Sequence, residues 1–185
     1  MKIHKIDKTK GNGIYILLAV GLITFAVFGR LLPHEPNFAP VAAVAIFGGV
    51  ILPRRLALSV PLLAMIISDL FIGLHSLFLL TWVSFAVIAL LGNYVVKAVK
   101  PSVVVGASLG ASVFFYLVSN FGVWLEGRMY SMTFSGLLDC YYQAIPFFRN
   151  TLLGDMVFTT LLFGAYALVS SLVIVSRMNR LALRS

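Results

Sequence analysis

A six-span, all-helical membrane protein is the fold class that this sequence predicts. Three observations lead to it. Long apolar runs recur at close to the length that crosses a bilayer. Short basic clusters separate them. Of 185 residues, 61% are hydrophobic and only 11% charged, whereas ordinary soluble domains carry about a quarter charged residues. Lipid must therefore solvate much of this chain. One domain fills the length, with a basic segment at residues 1–13, a transmembrane domain at 14–175 and a basic tail at 176–185.

A spanning helix needs about 20 apolar residues. The first span is expected over 14–32, where no small-residue cleavage site follows, so the run reads as retained. Pro33-His34-Glu35-Pro36-Asn37 then forms a hairpin stiffened by proline. The second run, 39–52, is only 14 residues long. At 1.5 Å per residue it reaches roughly 21 Å, short of the ~30 Å hydrocarbon core. Pro53-Arg54-Arg55 ends it. The third span is expected over 56–73, the fourth over 77–96 and the fifth over 103–123. The last is expected over 151–175.

Between the fifth and sixth spans, residues 133–148 place Leu137, Leu138, Tyr141, Tyr142 and Ile145 at helical spacing, with Asp139 and Gln143 interrupting. That stretch is too short and polar to cross, so an extra interfacial or re-entrant helix is expected.

Basic residues set orientation, because they are retained on the cytoplasmic side. With the N-terminus inside, the inner set is Lys2, Lys5, Lys8, Lys10, Arg54, Arg55, Lys97, Lys100, Arg177, Arg180 and Arg184. Only Arg30, Arg128 and Arg149 fall outside. Both termini are then cytoplasmic, in a bacterial inner membrane. The net charge of +8 is thus a topology signal and not a nucleic-acid footprint. Acids divide the other way: Asp7 is inside, while Glu35, Asp69, Glu126, Asp139 and Asp155 fall toward the outside. The outer end is where a binding site is expected.

Asp69 and Asp155 each interrupt an apolar run near its outer end. A carboxylate at that depth is costly and faces a partner or a wet cavity. Arg149 is near enough in depth to pair with either. One reading is a salt bridge holding the third span against the sixth; the other is a ligand role. His34, Asn37 and Phe38 form either a surface turn or a loop roofing a ligand. His75 either caps a helix or meets a ligand. Trp82, Tyr116, Trp124, Tyr130, Tyr141 and Tyr142 suit an aromatic belt, or aromatic walls around a flat molecule. The single Cys140 excludes an intrachain disulfide and reads as an inert apolar residue. The small residues Ala39, Ala42, Ala43, Ala45, Gly48 and Gly49 serve internal packing or docking of a second membrane subunit. No catalytic, metal-binding or ATP-hydrolysing motif is present, so neither enzyme activity nor a cofactor is expected.

Several segments together carry a family resemblance: PNFAPVAAVAIFGG at 36–49, PRR at 53–55, SDLFIG at 68–73, LGNYVVK at 91–97, SNFGVW at 119–124 and PFFRNTLLGD at 146–155. Over residues 14–175 the chain resembles an uncharacterised branch of small bacterial membrane proteins. That branch is grouped with the substrate-binding (S) components of energy-coupling factor (ECF) vitamin transporters. The resemblance implies a six-helix bundle with an outward-facing pocket for a vitamin-like micronutrient. It also implies partners, namely a transmembrane subunit and two ATPases. In that class alanine-rich packing for the membrane subunit lies on the first helix, whereas here the richer small-residue cluster lies in the second run.

On this reading His34, Asn37, Phe38, Asp69, His75, Asn120, Trp124, Tyr141, Tyr142, Arg149, Asn150 and Asp155 would line the pocket. Arg149 would donate to an anionic or carbonyl group. Cobalamin, with His75 toward cobalt, is one candidate cargo; thiamin-like, queuosine-precursor and pantothenate-type molecules are others. A structural or assembly protein acting through helix contacts is the competing function.

Overall fold

The computed structural model describes residues 12–95 and 99–182, with side chains over 13–94 and 99–173. Lys2, Lys5, Asp7, Lys8, Lys10 and Lys97, and the side chains of Arg177, Arg180 and Arg184, lie outside that description, so the charges that set the expected orientation are mostly outside it.

Every regular element among the described residues is helical. In chain order they are α1 (Asn12–Leu31), α2 (Val41–Ile51), α3 (Arg54–Ile72), α4 (Phe78–Val95), α5 (Pro101–Leu125), α6 (Phe134–Gln143) and α7 (Ile145–Ala182). Four are long and apolar enough to cross a membrane: α1, α3, α5 and α7. The apolar helices α2 and α4 are shorter. At 11 residues, α2 is only about 16 Å long.

What α2 lacks in length it makes up in enclosure. Val41 to Val50 are buried without exception. The helix lies at the centre, with α3, α4, α5 and α7 packed around it and α1 set mainly against α3. Its small residues explain how closely the neighbours approach. Gly49 lies against the backbone of Ala89 in α4, and a Cβ there would collide with the Ala89 carbonyl oxygen. Across the same crossing, a Cβ on Gly92 would stand 2.7 Å from the Ile46 carbonyl oxygen. Asn93 Nδ2 then donates to Gly49 O at 2.9 Å. The small cluster of the second run is thus spent on internal packing, the role that close helix contact in lipid gives small residues.

Hydroxyl groups within apolar helices are satisfied locally. Ser84, Ser119 and Thr151 each donate to the carbonyl four residues back on their own helix, and Thr81 to Leu77 O in the turn that precedes α4. Pro101 opens α5 after Lys100, in the first turn, where a missing N–H costs nothing, whereas Pro61 lies buried inside α3. Gly73, at φ 103, closes α3 by donating its N–H to Asp69 O.

The start of the last helix differs most from the hydropathy reading. The last helix begins at Ile145 and not near residue 151, because Pro146 suits a first helical turn. The segment before it forms α6, whose N-cap Thr133 accepts from Gly136 N at 3.1 Å. With 10 residues, α6 is too short to cross a bilayer.

Candidate functional site

The hairpin between α1 and α2 turns tightly. Phe38 N donates to Glu35 O at 2.9 Å, and Asn37 adopts φ 66, a left-handed conformation that asparagine accepts more readily than most residues. Asn150 Nδ2 pins the hairpin to α7 by donating to Pro36 O at 3.1 Å.

Beneath this hairpin lies a cavity of about 320 Å³. Its polar lining comes from five different parts of the chain: Arg30 at the end of α1, Asn37 in the hairpin, His75 in the α3–α4 turn, Thr81 in α4, and Thr151 with Asp155 in α7. Its apolar lining includes Phe85 of α4 and Phe115 of α5. These two rings stack with centroids 5.0 Å apart and an angle of 21° between planes. A concave, largely apolar space with a few convergent polar groups is the usual form of a small-molecule site.

Two carboxylates occupy different environments there. Asp69 is 1% exposed and its Oδ1 lies 2.7 Å from Arg30 Nη1. Trp82 Nε1 donates to its other oxygen at 2.7 Å. Arg30 Nη1 also reaches Ser68 Oγ and Met65 Sδ. The cluster binds α1, α3 and α4 together. Asp155 is 2% exposed and accepts from Ser112 Oγ of α5 at 2.6 Å. It has no ion pair among the described residues.

The expected site residues are therefore divided. Asn37, His75 and Asp155 share the cavity lining, and Asp69 stands behind Arg30 as its ion-pair partner. The expected salt bridge between the third and sixth spans is corrected: Asp69 joins α3 to α1. Arg149 is corrected as the partner of either acid: it is exposed, Asp69 pairs with Arg30, and the contact Asp155 makes is with Ser112. Phe71 is 74% exposed and turns away from the bundle.

Phe38 packs against Phe158 at 5.4 Å between ring centroids and against the backbone at Gly154. His34 is exposed, with Nδ1 2.6 Å from Leu32 O. Asn120, Trp124 and Tyr141 are placed around α6. Asn120 Nδ2 donates to Tyr116 O, Trp124 Nε1 to Ser131 O, and Tyr141 Oη to Leu117 O. Tyr142 is 71% exposed. None of these six residues, nor Asn150, lines the cavity.

A family model described as a family of unknown function (DUF6580) matches residues 10–177. The chain belongs to that family. No curated protein and no solved structure matches it. The DUF6580 match takes in α1 to α6 and most of α7, and so includes every residue of the cavity lining.

Arg30, Thr81, Phe85, Phe115 and Thr151 are cavity residues that sequence reasoning did not single out. Arg30 carried a usable signal. It is a cation only two residues inside the end of an apolar run, the same kind of intrusion that marked Asp69. Phe85 and Phe115 carried none, since aromatic residues are frequent throughout the spans.

Proposed function

We propose that this protein is the substrate-binding membrane subunit of an uptake system for a vitamin or similar micronutrient. The carrying observation is the cavity of about 320 Å³ under the α1–α2 hairpin, with its charged and polar groups gathered at one end of an apolar bundle. Arg30 takes the donor role first given to Arg149. Only its Nη1 contacts the protein in the ion-pair cluster, which leaves guanidinium N–H groups for a carbonyl or carboxylate of the ligand. Phe85 and Phe115 offer a face to a flat ring.

In this reading α2 and α4 complete six spans in the inner membrane, with both termini in the cytoplasm and the cavity opening outward. The energy for release comes from partner subunits, an ECF-type transmembrane protein and ATPases, since the chain has no nucleotide-binding motif of its own. Cysteines placed singly at the two ends should both be shielded from a membrane-impermeant maleimide in intact spheroplasts.

The main test is direct. The protein is purified in mild detergent, and extracted small molecules are identified by mass spectrometry. Thermal unfolding is then followed against a broad panel of vitamins. A co-purifying vitamin, or a melting point raised by one member of the panel, is the expected result. An empty protein that responds to none overturns the reading.

One observation favours a second reading, a structural or assembly protein. The Arg30–Asp69–Trp82 cluster ties three helices without needing any ligand. Asp155→Asn separates the two. A binding subunit loses ligand response while keeping most of its stability. A purely structural protein loses stability and has no response to lose.

A further inference from the structure

The charges around the cavity do not balance. Arg30 and Asp69 neutralise one another at 2.7 Å. Asp155 remains, in the seam between α5 and α7. It is 2% exposed, lines the cavity, and has one hydroxyl donor, Ser112 Oγ, on Oδ2. Its other oxygen has no protein donor among the described residues. An ionised carboxyl held away from water with one neutral hydrogen bond is costly. A ligand bringing a positive charge or strong N–H donors removes that cost, and a charge-assisted hydrogen bond to a carboxylate is about twice as strong as a neutral one. The stacked Phe85 and Phe115 rings on the same lining favour the same kind of molecule, since aromatic faces attract cations.

We infer that the cavity selects a small, flat, nitrogen-bearing cation, with its protonated nitrogen on Asp155 and its ring against Phe85 and Phe115. The inference rests on the binding-subunit reading and names the substrate class of that same site. The other charged or titratable groups facing the cavity are Arg30 of α1, held by Asp69 of α3, and His75 of the α3–α4 turn. The hairpin contributes Asn37 and α5 contributes Phe115 to the lining, with Ser112 buried behind it as the donor to Asp155.

Three probes of one shape and different charge test it: benzamidinium, benzamide and benzoate. Each is titrated into the detergent-purified protein at one fixed pH near 8, with binding read by isothermal calorimetry and melting point. The expected order is benzamidinium first, with affinity about tenfold above benzamide, a gap of about 1.4 kcal/mol, and benzoate last. In Asp155→Asn the preference for benzamidinium over benzamide disappears while benzamide still binds. The wild-type charge series stands even if that variant does not fold. Equal affinity for benzamidinium and benzamide, a preference for benzoate, or a cation preference that survives in Asp155→Asn overturns the inference. A vitamin that binds alongside any of those results leaves the binding-subunit reading intact. No response to the three probes or to any vitamin overturns both.

Discussion

Arg30 Nη1 and Asp69 Oδ1 stand 2.7 Å apart, joining the last turn of α1 to the last turn of α3. The contact to Oδ1 is ionic and lacks hydrogen-bond alignment, while Oδ2 receives the Trp82 indole N–H. Removing one partner strands the other charge inside the bundle. Arg30→Gln or Asp69→Asn is therefore expected to cost about 3–5 kcal/mol. The double variant is expected to recover part of that loss, and Arg30→Lys to lose less than Arg30→Gln. Denaturation in mixed micelles measures all four. Additive single losses would show that the pair is not coupled.

The α2–α4 crossing has no room for a methyl group. Gly49→Ala places a Cβ against the Ala89 carbonyl, and Gly92→Ala places one against Ile46. Both contacts are backbone, so no side chain can rotate away. Each substitution is expected to destabilise by about 1–3 kcal/mol. Gly21→Ala is the control, because a Cβ there has nothing within 4 Å. Unfolding midpoints that rank all three alike would contradict the packing.

Asn37 separates backbone demand from side-chain chemistry. Its φ of 66 suits glycine, and β-branched residues cost roughly 1–2 kcal/mol in that region. Asn37→Gly is expected to keep the melting point near wild type, and Asn37→Val to lower it. Any weakening of ligand binding in Asn37→Gly then reports the carboxamide that lines the cavity.

Cys140 is 1% exposed and donates its thiol to Asn120 O at 3.3 Å. Burial raises its pKa above the ordinary thiol value, with a smaller lowering effect from the backbone near Trp124. Less thiolate is present at neutral pH than in a free cysteine, and access is poor. Maleimide labelling of the folded protein is expected to be on the order of tenfold or more slower than after denaturation. Rapid labelling of the native protein would place α6 away from α5.

Much of the helix order was legible because apolar runs are long and their ends carry proline, glycine or charge. α3 ends at the Gly73 that the sequence marks, and α5 begins at Pro101. The α6 segment was visible through its leucine and tyrosine spacing. Partners were harder to read. Depth along a span can be counted from sequence, and that located Asp69 and Asp155. Rotation about a span cannot be, when nearly every face is apolar. So depth alone makes Arg149 a candidate partner for either acid, whereas Ser112 from another helix holds Asp155. Likewise Trp82 suited an interfacial belt by composition, but it points inward to Asp69.

The enclosure of α2 also changes how the bilayer acts on this protein. Helices exposed to acyl chains must match the hydrocarbon thickness by tilting or by deforming the lipid. α2 meets protein on every side, so no such match is asked of it, and its brevity imposes no strain on the membrane. Its N-terminal end supplies Val41 and Ala42 to the cavity wall. That part of the wall is expected to be insulated from changes in lipid composition, while a thicker or thinner membrane would tilt the outer helices, which carry the rest of the lining, around a fixed central post.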